Sequence, residues 1–192
     1  MKMKKNLVDF FYELGQLKRV KRSGWWLIGI KDPESVAEHS FRAAAIGYIL
    51  AKKENVDSSK VVLACLFNDL HEARINDLHK VGHKYIDFKI AETKAFSDSM
   101  KNLPDDAAKE LQDIFAGFQL QDTKEGIVAR DADLLECVLQ AKEYIKHGKS
   151  EAQNWIDNTR KLIYTDSAKK LFKDIEKSDP DHWWKDLKKI DR

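Results

Sequence analysis

Side chains of the metal-binding type lie in three separated segments of this 192-residue chain, each beside an apolar helical pattern. The first segment contains His39, the second Asn68 and Asp69, and the third Asp133. A buried carboxylate needs a cation nearby, and imidazole with carboxylates suits a divalent ion of borderline character. Such an ion can activate water for hydrolysis. The sequence therefore predicts one metal centre assembled from three helices.

Each of these side chains also has a purely structural interpretation. His39 could be a core histidine with satisfied hydrogen bonds, and Asp69 could pair with an arginine such as Arg42 or Arg74. Asp131 could point inward instead of Asp133, or both acids could lie on the helix surface. The metal interpretation is favoured because three helices each present a ligand-type side chain from an apolar face.

The elements that must position these residues are helices throughout. Glycine (8) and proline (3) are scarce, and no segment alternates convincingly at period two. Ser35 and Glu38 form a capping box that starts the helix carrying His39. We therefore expect an all-α fold, with residues 1–192 in a single domain. The predicted helices cover approximately residues 5–20, 35–54, 58–74, 84–102, 104–119, 122–147, 150–163, 166–177 and 181–189.

Composition excludes several classes of partner. Lysine and arginine (34) nearly balance aspartate and glutamate (32), which argues against a nucleic-acid polymer or an anionic membrane as the ligand. The longest apolar run, residues 61–67, is too short to span a membrane, and Asp9 interrupts any signal-peptide core. Cys65 and Cys137 lack a CxxC spacing, so we expect buried free thiols and a cytoplasmic protein.

The order of the candidate ligands resembles the H…HD…D signature of HD-domain metal-dependent phosphohydrolases, and most of all their 5′-deoxynucleotidase group. The likeness extends over nearly the whole chain and is carried by residues 17–25, 33–40, 69–78 and 132–141. It implies an all-α HD-domain helical bundle with one divalent metal ion (Mn, Co, Mg or Zn). It also implies a homodimer that hydrolyses nucleoside 5′-monophosphates.

The resemblance further implies a role for each matching residue. The implied metal ligands are His39, Asn68, Asp69 and Asp133. Glu72 and Asp77 take the catalytic carboxylate roles, positioning or deprotonating the attacking water and assisting the leaving oxygen. Arg22 holds the phosphate, and Trp25 packs against the sugar or helps to shape its pocket.

Two positions depart from the family's pattern. Asn68 replaces the histidine of the HD dyad, and Asn76 stands where the family commonly has glycine before the loop aspartate. An asparagine carbonyl is a hard oxygen donor that suits Mg²⁺, Mn²⁺ or Ca²⁺ more than Zn²⁺. His71 lies on the opposite side of the helix, whereas His79 and His83 could supply a ligand if their segment were helical.

Asn68 leaves three explanations open. The centre could work with weaker metal binding, the protein could be a degenerate member that binds nucleotide without efficient turnover, or the histidine could have been replaced deliberately. A different class of function is a helical interaction protein, in which Trp183 and Trp184 form an exposed patch for a partner, although we expect this pair to pack back on the domain.

Overall fold

The computed structural model describes residues 6–185, and helices account for all regular structure in that range apart from one isolated bridge between Lys21 and Ser35. The all-α prediction is confirmed. The helices are α1 (Leu7–Gln16), α2 (Val36–Glu54), α3 (Ser58–Phe67), α4 (Glu72–Ile75), α5 (Phe88–Met100), α6 (Asp105–Leu120), α7 (Lys124–Lys146), α8 (Gln153–Thr159), α9 (Asp166–Lys177) and α10 (His182–Lys185). Short 3-10 turns occupy Ser23–Ile28, Gly82–Lys84 and Ser150–Ala152.

The capping box predicted at the start of α2 is present. The Ser35 hydroxyl accepts the N–H of Glu38 at 3.2 Å, and the Glu38 carboxylate accepts the N–H of Ser35 at 2.6 Å. Each side chain thereby satisfies a backbone donor that the first helical turn would leave unpaired. This cap fixes where α2 begins and so places His39 one turn into the helix.

The prediction of one continuous helix over residues 58–74 is wrong. Helix α3 ends at Phe67, and the chain makes a tighter turn before α4 begins at Glu72. In this turn the N–H groups of Leu70 and Glu72 bond to carbonyls three residues back, on Phe67 and Asp69. A 3-10 turn keeps side chains three residues apart on one face. The spacing of apolar residues in the sequence therefore does not reveal where α3 ends.

Other boundaries differ less. The helix predicted from residue 84 begins at Phe88, because Gly82–Lys84 forms a 3-10 turn. The segment predicted over 150–163 divides into a 3-10 turn and α8. The last predicted helix is seen as His182–Lys185, and its remainder lies outside the described residues.

The main core is formed where α2, α3 and α7 pack together. Gly47 on α2 permits the close approach, since a Cβ there would lie 3.0 Å from both Cys65 Sγ and Val61 Cγ1. Ala132 and Leu135 on α7 are fully buried in the same core. This packing brings His39, the turn after α3 and Asp133 to one place in the bundle.

A second apolar cluster supports the turn between α3 and α4 from behind. Leu70, at the centre of the turn, is fully buried against Phe10, Phe96 and Phe115. The turn is therefore held from the core side, while Asp69 faces the candidate site. Among residues 6–185, no helix is both long and apolar enough to cross a membrane.

Candidate metal centre

The structure brings His39, Asp69 and Asp133 together, with one ligand atom of each within 4.8 Å of the others. His39 Nε2 lies 2.9 Å from Asp133 Oδ1 and 3.7 Å from Asp69 Oδ2. Neighbouring ligand atoms around a small divalent ion are roughly 3 Å apart when each bond is about 2.1 Å. The three side chains thus have the chemistry and approximate spacing of a metal-binding set.

Asn68 lies next to this set and carries a carbonyl oxygen. The side chain is 8% exposed, and its Nδ2 donates to Asp69 Oδ1 at 2.7 Å. Only the amide nitrogen can donate to a carboxylate, so this contact fixes the orientation of the amide. Asn68 Oδ1 is then left buried without a hydrogen-bond partner in the described part of the chain. A buried, unpaired oxygen beside a ligand carboxylate fits a cation, so the residues present suit a metal.

The two neighbouring acids on α7 have different surroundings. Asp131 accepts the backbone N–H groups of Tyr164 and Thr165 and the Thr165 hydroxyl, at 2.6 to 2.9 Å. Asp133 contacts His39 and accepts from Arg130 at 2.9 Å. Asp131 therefore secures the start of α9, while Asp133 faces the candidate centre.

Electrostatics at the centre favour added positive charge. Burial and Arg22 act to lower the pKa of His39, but Glu136 and Asp133 outweigh them and raise it well above its usual value. Burial would raise the pKa of Asp133, yet the hydrogen bond from His39 and the charge of Arg130 hold it below its usual value. A divalent cation can take the place of the imidazole proton in such a site.

Sequence reasoning missed the part that Glu136 plays. Its carboxylate is fully buried and contacts His39 Nδ1, the ring nitrogen on the opposite side from Asp133. Glu136 follows Asp133 by three residues, which puts both on one face of α7. The sequence did carry a signal for this role, because Glu136 interrupts an apolar stripe of α7.

Glu72 and Asp77 approach the centre from the segment after the turn. Glu72 is 4% exposed, and its Oε2 has no hydrogen-bond partner within residues 6–185. Burial, reinforced by Asp69 and Asp77, raises the pKa of Glu72 well above its usual value. Asp77 Oδ2 accepts the backbone N–H of Ser23 at 2.5 Å, which ties this segment to the loop before α2.

Arg22, like Arg130, is a cation that borders the candidate ligands. Its NH1 lies 3.6 Å from Asp69 Oδ2, and its NH2 donates to Cys137 Sγ at 3.3 Å. Burial acts to lower the pKa of Arg22, but Cys137, Asp69 and Glu72 outweigh it and raise the pKa further. Burial also raises the pKa of the Cys137 thiol to about 11. Arg22 is thus a protonated guanidinium beside the metal-binding set.

Trp25 lies beneath the loop that carries Arg22. It is 2% exposed, stacks on Trp155 with ring centroids 4.7 Å apart, and meets the Tyr144 ring edge-on. Its indole N–H donates to Glu34 Oε1 at 3.0 Å. Burial, reinforced by Glu136, raises the pKa of Glu34 to about 7. Because Trp25 is buried, it supports the loop that carries Arg22 from the core side.

The remaining histidines of the central region have partners elsewhere. His71 Nδ1 contacts the Asn68 carbonyl at 3.0 Å, and its ring lies between Phe88 and Phe115. His79 accepts the Gly82 N–H, and His83 contacts the Leu78 carbonyl. None belongs to a metal-ligand cluster of the described residues. Trp183 and Trp184 lie on α10 and are 80% and 46% exposed, so the expectation that the pair packs back on the domain is wrong.

Asn76 adopts a backbone conformation that normally requires glycine. Its φ of 62° and ψ of 165° lie outside the left-handed helical region that asparagine tolerates. We expect Asn76→Gly to stabilise the protein by about 1 kcal/mol, because relief of strain exceeds the entropy cost of glycine. At this chain length, that change raises Tm by about 2–4 °C in calorimetry.

Asn55 provides the matched control for this prediction. It also has positive φ, but with φ 55° and ψ 48° it occupies the ordinary left-handed region. Asn55→Gly is therefore expected to change Tm by a smaller amount. Equal gains at the two positions would show that strain at Asn76 is not the cause.

Comparison with known proteins gives a consistent result. A family model described as the HD domain matches residues 14–176. A relative from Dictyostelium discoideum named 5′-deoxynucleotidase HDDC2 is 31% identical over 185 residues, covering 89% of this chain and 97% of the relative. The human protein of that name is 29% identical over 158 residues, covering 81% and 77%. A solved structure, a conserved hypothetical protein from Pyrococcus furiosus, is 31% identical with a TM-score of 0.75, covering 89% of this chain and 99% of that one.

Proposed function

The chain belongs to the HD domain family, and from that premise we propose that it removes phosphate from nucleoside or deoxynucleoside 5′-monophosphates in a metal-dependent hydrolysis. Metal-dependent phosphohydrolysis is the family's chemistry. The relatives named 5′-deoxynucleotidases suggest the substrate class. The observation that carries the proposal is the convergence of His39, Asp69 and Asp133 beside the guanidinium of Arg22.

In this proposal, His39, Asn68, Asp69 and Asp133 hold the metal ion. One nitrogen and three oxygen donors form a hard set, which favours Mn²⁺ or Mg²⁺ over Zn²⁺ and leaves Co²⁺ as an intermediate choice. When bound, the ion lowers the pKa of water and neutralises phosphate charge.

The protein's own groups then have separate tasks. Arg22 binds the phosphate oxygens, since a guanidinium can donate two parallel hydrogen bonds to them. Glu72 accepts the proton of the attacking water, and its raised pKa makes it a stronger base than an ordinary carboxylate. Asp77 assists the leaving oxygen from the segment beyond α4. Trp25 shapes the pocket by supporting the Arg22 loop.

The test is phosphate release from a panel of ribo- and deoxyribonucleoside 5′-monophosphates with Mn²⁺, Co²⁺, Mg²⁺ or Zn²⁺. We expect release from 5′-monophosphates with Mn²⁺ or Mg²⁺, and about 100-fold less from the 3′-monophosphate of the same nucleoside, whose phosphate is misplaced relative to the metal. The 3′ isomer is the matched control because it has the same charge and base. Absence of release with every metal, under conditions in which Asn68→His is active, would overturn the proposal for this chain.

Asn68 also supports a second candidate, a protein that binds nucleotide without efficient turnover. This alternative predicts that a 5′-monophosphate raises Tm in the presence of metal while no phosphate is released. We also propose, from the sequence, that the protein is a homodimer, that residues 1–192 form a single domain and that the protein is cytoplasmic. Light scattering of the purified protein measures whether it is a dimer.

A further inference from the structure

Glu136 lies directly behind the candidate ligand His39 and is shared between the His39 ring and the Arg42 guanidinium. One carboxylate oxygen contacts His39 Nδ1, and the other accepts from Arg42 Nε at 2.8 Å. The side chain is fully buried. A buried carboxylate in this position is satisfied only while both partners remain in place.

Arg42 is itself fixed at several points along α7. Its NH1 donates to Glu143 Oε1 at 2.6 Å and its NH2 donates to Gln140 Oε1 at 2.8 Å. Residues 136, 140 and 143 recur at helical spacing, so they form one continuous acceptor surface for a single guanidinium. Its side chain is 30% exposed, which makes Arg42 accessible to substitution without opening the core.

We propose that Glu136 and Arg42 are positioning residues that hold His39 with its Nε2 directed at the metal, and so set the affinity of the centre. This inference rests on the proposed metal-dependent function. A carboxylate on Nδ1 keeps the proton on that nitrogen, which leaves the lone pair of Nε2 for the metal. Arg42 keeps Glu136 in place and neutralises its charge.

Because position 68 is an asparagine, the orientation of His39 matters more for metal binding in this chain. His39 is the only nitrogen donor in the proposed ligand set, because Asn68, Asp69 and Asp133 each provide oxygen. A misdirected imidazole would leave a centre of oxygen donors alone. The geometry argues against a purely structural ion pair, because Glu136 and Arg42 could pair without placing His39 Nε2 at 2.9 Å from Asp133.

Calorimetric titration of Mn²⁺ into the metal-free full-length protein tests the inference without any substrate. Glu136→Gln is expected to weaken Mn²⁺ binding by about 10–100-fold. Arg42→Lys keeps the charge but cannot reach all three acceptors, so we expect a weakening of about three- to tenfold. The matched control is Glu176→Gln, which removes the carboxylate charge from the Arg160–Glu176 ion pair outside this network and should change the affinity less than about twofold.

A second readout separates positioning from a structural role. In histidine-¹⁵N-labelled protein saturated with Zn²⁺, which is diamagnetic, the His39 ring should show a single form protonated at Nδ1. Glu136→Gln should broaden or shift these resonances. If Glu136→Gln fails to fold, Arg42→Lys decides the question alone.

Two outcomes would overturn the inference, and only the second would also overturn the proposed function. Variants that melt at a lower temperature but bind Mn²⁺ with wild-type affinity and an unchanged His39 signature would refute positioning alone. Wild-type protein that binds none of Mn²⁺, Co²⁺, Mg²⁺ or Zn²⁺ would refute both positioning and the proposed function.

Discussion

Replacing Glu72 by glutamine is expected to lower kcat at least 100-fold while Mn²⁺ affinity stays within about threefold. Glutamine preserves the shape of the side chain but cannot accept the proton of the attacking water, and a positioned general base contributes about 10²–10⁴ in rate. The buried, unpartnered Oε2 and the raised pKa of Glu72 point to such a base. Steady-state phosphate release gives kcat, and calorimetry gives the metal affinity.

Glu92→Gln is the control for this substitution. Glu92 is also largely buried, with its side chain 19% exposed, but it lies 3.6 Å from His71 Nε2 on the side of the turn away from the metal ligands. We expect wild-type kcat from that variant. A Glu72→Gln protein that turns over normally would contradict the base assignment. Loss of activity together with loss of Mn²⁺ would instead identify Glu72 as a metal ligand.

The helical fold and the convergence of His39, Asp69 and Asp133 could both be predicted from the sequence. Apolar periodicity and the Ser35–Glu38 capping box place α2 correctly, because both are local properties of the chain. The buried side chains of His39 and Asp69 were also foreseeable, since each interrupts an apolar face. These are features that a single helix displays by itself.

The features that the sequence did not reveal depend on contacts between segments that lie far apart along the chain. Asp131 and Asp133 look alike on α7, and only the packing of the chain near Thr165 shows which one faces the centre. Trp25 was expected near a ligand, but its burial against Trp155 follows from a contact with a segment about 130 residues away along the chain. Such long-range neighbours leave no periodic signal.

The turn at residues 68–71 shows the same limit at close range. The pattern of apolar residues continues through it, yet the hydrogen bonding changes from α-helical to 3-10. Tertiary packing of Leu70 into the second cluster is what holds the altered backbone. The change matters for function because it determines where Asn68 Oδ1 and Glu72 Oε2 come to lie.

The second large effect concerns the position that departs from the family's pattern. Asn68→His is expected to strengthen Co²⁺ and Zn²⁺ binding at least tenfold, with a smaller change for Mg²⁺. The reason is that imidazole nitrogen is a softer and stronger donor to these ions than a neutral amide oxygen. Calorimetric or competition titrations with the four metals measure the change, and kcat/KM measured with Co²⁺ should rise with it.

Asn68→Ala separates the ligand role of Asn68 from a role in orienting Asp69. Alanine removes both the unpaired Oδ1 and the Nδ2 hydrogen bond to Asp69 Oδ1, so binding of all four metals should weaken. Histidine also removes the hydrogen bond from Nδ2 but supplies a new donor. If both variants weaken every metal equally, Asn68 acts mainly by orienting Asp69. If histidine strengthens Co²⁺ and Zn²⁺ while alanine weakens them, position 68 is a ligand site, and the asparagine selects harder ions within an otherwise intact centre.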